Sequence, residues 1–145
     1  MEMPGILVGI DGSGHSRVAL EWAAREAALR HAPLSVLIVQ QPAVGYIGYP
    51  VGYPAGDDDL TGELREAARK ETSEVLDGLG DGPRPASVTV QAVSGLPAEE
   101  ILDAAENADL VVVGTRGAGG FKHLLMGSVS SQVTHHAHCP VVVVR

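Results

Sequence analysis

Cysteine is almost missing from this chain of 145 residues: Cys139 stands alone. It cannot form an internal disulfide, and one thiolate cannot build a sulfur-based metal site. Aromatic residues are scarce, at 3%, with one Phe, one Trp and three Tyr, and every tyrosine falls in one short stretch. Positive charge is also short. Ten Lys and Arg stand against 18 Asp and Glu, a formal net charge of -8, and no run of basic residues occurs. That argues against duplex nucleic acid as a partner, because backbone binding wants clustered Lys and Arg. A nucleotide remains open, since backbone N–H groups and one or two cations can hold it locally. No apolar run reaches membrane-spanning length. The opening "MEMPG" shows no basic stretch followed by an apolar segment, so no export signal is visible. The expected location is the cytoplasm, with no membrane partner.

What is present is a set of short apolar runs separated by helix-forming stretches. The length suits one domain, 1–145, and a 45% apolar content argues against disorder of the whole. "GILVGI" at 5–10 reads as a strand ending at the turn cluster Asp11-Gly12-Ser13-Gly14. Residues 16–31 favour helix, with Val18, Trp22, Ala23, Ala27 and Leu29 available as an apolar face. Trp22 is expected in the core. "LSVLIV" at 34–39 is a second strand, and 59–77 a second helix stopped by "DGLGDGPRP". "ASVTVQAV" at 86–93 alternates toward a third strand. Ser94 to Glu100 carries the start signals of a third helix: a small polar residue, an early proline and acidic residues in the first turn. "ADLVVVG" at 108–114 is a fourth strand, 128–137 a last helix, and "PVVVV" at 140–144 a final strand.

Strands without polar alternation, separated by helices, predict a parallel sheet covered on both faces. Right-handed crossovers make it a doubly wound, three-layer α/β fold. Ligands in such folds sit beyond the carboxyl ends of the strands, at the switch in strand order. That draws attention to the loops at 11–15, 40–58, 94–97 and 114–127. The second, "QPAVGYIGYPVGYPAGDD" at 41–58, is a Gly/Pro/Tyr-rich loop. Tyr46, Tyr49 and Tyr53 there can anchor the loop, pack against a partner, or stack on a base.

The last of these loops, "GTRGAGGFKHLLMGSVS" at 114–130, carries the strongest signal. It is not a nucleotide-kinase loop, which needs G-x-x-x-x-G-K-[ST]; Lys122 follows Phe121, and no Ser or Thr comes after it. Nor does the first strand carry G-x-G-x-x-G, because Arg17 stands where the last glycine belongs. What remains is G-x-x-G, nine residues, then G-S: Gly114, Gly117, Gly127 and Ser128. Gly114 ends a buried strand and permits close approach to the backbone. Gly127 and Ser128 open a helix whose free N–H groups and positive dipole end favour a phosphate. The Ser128 and Ser130 hydroxyls can donate to phosphate oxygens or face a divalent ion, and Arg116, Lys122 and protonated His123 are nearby cations. Each feature also has a plainer use. The glycines can serve a tight connection, Asp11 or Ser128 can cap a helix, and Ser13 can belong to its turn.

This chain resembles the universal stress protein family in its nucleotide-binding branch, over essentially its whole length. The resemblance rests on "ILVGIDGS" and on "ADLVVVGTRGAGGFKHLLMGSVSSQVTHHAHCPVVVV". It implies a five-stranded parallel sheet in the order 3-2-1-4-5 and an ATP site; Asp11 and Ser128 are residues that can hold Mg²⁺ with the phosphates. By resemblance, the backbone of Gly114, Gly117, Gly127, Val129 and Ser130, with the Ser128 hydroxyl, surrounds phosphates and ribose. Asp11 lies by the nucleoside, backbone near Val39 meets the adenine edge, and Gly9 and Ile10 line the floor. The resemblance also implies a homodimer through the apolar edge strand Val141–Val144.

His135, His136 and His138 are read as favourable charge at a helix C-terminus rather than a metal site, and Cys139 as buried and inert. No catalytic residue set can be argued from spacing. The expected function is an adenine-nucleotide-binding stress-response regulator acting through ligand-dependent conformation or assembly. A slow ATP hydrolase and a nucleotide-independent scaffold are the alternatives.

Overall fold

The computed structural model describes residues 5–41, 57–115 and 127–145. Within them the chain runs β1 (Ile6–Ile10), α1 (Gly14–Arg30), β2 (Pro33–Gln40), α2 (Asp57–Asp77), β3 (Ser87–Ser94), α3 (Pro97–Ala105), β4 (Leu110–Gly114), α4 (Ser128–His136) and β5 (Val141–Val144). The five strands form one sheet in the order β3-β2-β1-β4-β5, and all pairs are parallel. The expected fold class and strand order are therefore observed.

Alternation along each strand sends side chains to opposite faces, and two cores result. Ile6, Val8 and Ile10 of β1 join Leu34, Val36, Ile38, Leu110 and Val112 beneath α1 and α2. Leu7, Leu37, Val111 and Val113 face α3 and α4, where Ile101, Ala105 and Val133 meet them. Helices on both faces explain why the central strands read as unbroken apolar runs. Burying a side chain such as Leu20, fully inaccessible in α1, contributes about 1.5–3 kcal/mol.

The face of α1 differs from the expected one. Its buried residues are Ser16, Ala19, Leu20, Ala23, Ala24, Ala27 and Ala28. Val18 is 41% exposed and Leu29 74% exposed, and Trp22 is only partly buried at the rim of the core. The buried positions recur at three- and four-residue spacing, and at 100° per residue Val18, Trp22 and Leu29 fall on the opposite side of the helix. The start of α3 is also corrected. Its N-cap is Leu96, without a side-chain cap bond, and Pro97 opens the helix; Ser94 still belongs to β3. Cys139 is a free, partly exposed thiol rather than a fully buried one, although it packs beside the second core. Burial pushes its pKa up. His135 and His136 occupy the last turn of α4 as expected, their rings edge to face at 4.9 Å. Tyr46, Tyr49 and Tyr53, and with them most of the 41–58 stretch, lie outside the described residues.

Candidate functional site

The switch in strand order falls between β1 and β4. Their register runs from Ile6 opposite Leu110 to Val8 opposite Val112. Both strands continue for two more residues, β1 to Ile10 and β4 to Gly114, so their carboxyl ends part beyond the last pair. A crevice at this position is where doubly wound sheets receive ligands.

Two helix N-termini converge on the end of β4. The first belongs to α1. A β-carbon on Gly114 would stand 2.9 Å from the His15 carbonyl oxygen and 3.5 Å from the Ser16 nitrogen. The absent side chain thus makes room for the first turn of α1. That turn is held by a ring of short-range bonds. The Ser13 N–H donates to Asp11 Oδ1 at 2.9 Å, and the Asp11 N–H donates to Ser16 Oγ at 3.2 Å. The Ser16 N–H donates to Ser13 Oγ at 3.2 Å, while Ser16 Oγ donates to the Ser13 carbonyl at 3.0 Å. Gly12 takes φ +85° in this turn, a conformation glycine adopts without strain. Ser13, not Asp11, is the N-cap of α1. Asp11 instead shapes the turn with one carboxylate oxygen and stays exposed.

The second N-terminus belongs to α4. Gly127 is its N-cap, so Ser128 is the first helical residue rather than the cap. The Gly127 N–H donates to the Thr115 carbonyl. Ser130 is only 2% exposed, and its hydroxyl lies 3.1 Å from both the Thr115 and the Gly127 carbonyl oxygens. Its single proton is shared between those acceptors. The Ser130 hydroxyl therefore ties α4 to β4, leaving its backbone N–H as the group available to a ligand. Ser128 is exposed and Val129 half-buried against the second core. The first amides of a helix have no carbonyl one turn back to bond, so the N–H groups of Ser128 to Ser130 begin α4 with the positive end of its dipole. The Thr115 N–H closes the arrangement by donating to the Val144 carbonyl at 3.0 Å.

Ile10 is buried in the first core. Gly9 is buried in mid-strand, where a β-carbon would stand 2.7 Å from Ile101 Cδ1; α3 occupies that space. Val39 is half-buried one residue before the end of β2 and sits opposite Val93 of β3. Arg116, Gly117, Lys122 and His123 lie outside the described residues. His15, Ser16 and Thr115 are contributors that sequence reasoning passed over. The Gly-His-Ser that starts α1 and the Thr between Gly114 and Arg116 were the only signals for them.

Charge gathers beside the Asp11 turn. An open depression of about 320 Å³ lies between Gly12–Gly14, Arg17 and the α2 residues Lys70, Glu71 and Glu74. Arg17 Nη1 donates to Glu74 Oε2 at 2.8 Å, which holds the Glu74 pKa below its ordinary value. Glu71 moves the other way. Burial pushes its pKa up, and the charges of Asp11 and Glu74 add to that against the pull of Arg17.

Two helix N-termini thus meet at one strand terminus. The profile of the universal stress protein family matches residues 3–145. The chain belongs to the universal stress protein family. A universal stress protein of Mycolicibacterium smegmatis is 39% identical over 143 residues, covering 97% of this chain and 48% of that protein. The chain thus spans about half the length of its mycobacterial relatives. Universal stress protein YxiE of Bacillus subtilis is 35% identical, and 97% of each chain is covered. Among solved structures, the universal stress protein UspA of Lactobacillus plantarum superposes with a TM-score of 0.76 at 26% identity, covering 100% of this chain and 99% of that one. Two further universal stress proteins share the fold at 22% identity. One, solved with cAMP, has a TM-score of 0.67 and coverage of 100% and 98%. The other, from Archaeoglobus fulgidus with dAMP, has a TM-score of 0.65 and coverage of 100% of both chains. Among the described residues, no helix of this universal stress protein is long and apolar enough to cross a membrane.

Proposed function

We propose that this universal stress protein binds an adenine nucleotide, ATP with Mg²⁺, in the crevice between β1 and β4, and acts as a stress-response regulator through ligand-dependent conformation or assembly. The observation that carries this reading is the convergence of the α1 and α4 N-termini on the Gly114–Thr115 strand end. Two positive dipole ends near one strand terminus favour an anion, and backbone N–H groups supply the contacts. In this reading the phosphates lie against the backbone of Gly114, Gly117 and Gly127–Ser130, with the Ser128 hydroxyl and Arg116. Asp11 takes the ribose side, the backbone of Val39 the adenine edge, and Gly9 and Ile10 the floor. Family membership supports it, as do the two structural neighbours solved with adenine nucleotides.

The same proposal includes a homodimer through β5. Val141–Val144 is an outer strand of half-buried valines, and an apolar edge of this kind invites pairing. Light scattering at micromolar concentration is expected to give a dimer or a larger assembly; a monomer removes this part of the reading.

Calorimetric titration with ATP, ADP, AMP and cAMP tests the ligand. Ser128→Glu is the informative variant. A carboxylate in the first turn suits the helix dipole but repels a phosphate, so the fold should keep its stability while affinity falls about tenfold or more, or about 1.4 kcal/mol. No binding of any adenine nucleotide, or equal affinity in the variant, would overturn the proposal.

A further inference from the structure

Among the described residues the sheet has two outer strands, and the longer has no assigned role: β3 spans eight residues against four in β5. An outer strand presents a row of unpaired N–H and C=O groups. Proteins commonly blunt such an edge with lysine, proline, a bulge or short length. Ser87–Ser94 contains no charged residue, proline or glycine. Its register with β2 runs unbroken from Pro33 opposite Ser87 to Gln40 opposite Ser94, so no bulge turns it aside. Pro83 and Pro85 precede the strand without entering it. Ser87, Val88, Thr89 and Gln91 are exposed, Val88 at 38%.

The two faces of β3 differ in chemistry. Val90 and Ala92 pack toward the α1/α2 core. Val88, with Thr89 and Val90 beside it, borders an open groove of about 360 Å³ shared with Arg69, Ser73 and Leu76 of α2. By alternation, Thr89 and Gln91 take the opposite face. We propose that β3 is a protein-pairing edge whose occupant is the β3 of a second copy of this chain, antiparallel and centred on Val90. The outward main-chain groups accept only an extended backbone. The side-chain pattern selects the same strand, because it complements itself. A two-fold axis through Val90 sets Val90 against the partner's Val90 and Val88 against the partner's Ala92. On the other face Thr89 meets the partner's Gln91. Apolar meets apolar, hydroxyl meets amide, and no like charges face each other. Only the end pair, Ser87 with the partner's Val93, mixes. Centring on Gln91 instead would set Val88 against the partner's Ser94 and Thr89 against the partner's Val93.

This edge is distinct from β5, and pairing at one leaves the other free. With both engaged, each two-fold axis stands perpendicular to the same sheet. The copies then form an open row rather than a closed pair.

Sedimentation equilibrium on the wild-type chain and two double variants tests the proposal, with circular dichroism confirming that each is folded. T89K/Q91K sets lysine against lysine across the axis and is expected to lose at least half of the wild-type mass. T89K/Q91E sets lysine against glutamate and is expected to keep the wild-type mass. An unchanged mass in T89K/Q91K overturns the proposal, whether the edge is free or taken by another protein's strand. Equal loss in both variants also overturns it. Failure of the β5 dimer reads out separately, because T89K/Q91K then falls to the monomer mass instead of the dimer mass.

Discussion

A β-carbon on Gly114 would stand 2.9 Å from the carbonyl oxygen of His15, closer than real β-carbons approach backbone oxygen. The last residue of β4 and the first turn of α1 are therefore built against each other. Backbone cannot rotate away as a side chain can, so Gly114→Ala must displace the α1 N-terminus. The expected cost is about 1–3 kcal/mol, read by denaturant unfolding, together with weaker nucleotide binding. An alanine variant as stable as wild type would show that this contact is slack.

Gly9 tests the same idea against a softer neighbour. Its missing β-carbon is covered by Ile101 Cδ1 at 2.7 Å, the end of a flexible side chain. Gly9→Ala should destabilise less than Gly114→Ala. Ile101→Val deletes the obstructing methyl at a cost of about 0.5–1.5 kcal/mol. The double variant should then cost less than the sum of the two, and a double-mutant cycle measures the difference. Strict additivity would contradict the contact.

Ser130 joins the start of α4 to the strand end through a hydroxyl shared by the Thr115 and Gly127 carbonyls. Ser130→Ala should cost about 1 kcal/mol, the net value of one buried hydrogen bond. The Thr115 carbonyl keeps its bond from the Gly127 N–H, so the loss should stay near that figure. Thermal unfolding checks the cost.

Glu71 makes a pH prediction. Burial raises its folded-state pKa, so the folded chain holds this proton more tightly than the unfolded chain does. The favourable contribution is complete below the unfolded value and is lost as pH rises through the folded one. At neutral pH the ionised, half-buried carboxylate is a liability. Glu71→Gln is expected to stabilise the fold at neutral pH, and the gain should shrink to nothing in acid. Unfolding curves across that range decide it. Glu74, lowered by its bond with Arg17, has the opposite sign: its contribution is present above the unfolded value and lost as pH falls through the folded one.

Several features were legible because they are local. The apolar runs ending at Ile10 and Gly114, the helix-forming stretches between them and the Gly127-Ser128 helix start all follow from neighbours in sequence. The face of α1 was less legible. Val18 and Leu29 are the larger apolar residues, yet Ser16, Leu20 and the alanines form the stripe of three- and four-residue spacing that packs on the strands, with Val18 and Leu29 on the opposite side. Serine at 130 looked like a ligand group, and only the position of the Thr115 carbonyl shows that its hydroxyl belongs to the fold.

The order of apolar and helix-forming segments alone determined the alternating β/α plan, the parallel sheet and the strand ends at which a ligand would be sought. Periodicity and turn chemistry act over a few residues, and a linear chain displays them. Tertiary structure alone decided why Gly9 and Gly114 lack side chains, which hydroxyls are already committed, and that β3 stands as an uncharged outer edge. Those facts depend on which backbone atoms from distant segments come within a few ångströms, and only the folded packing sets that distance.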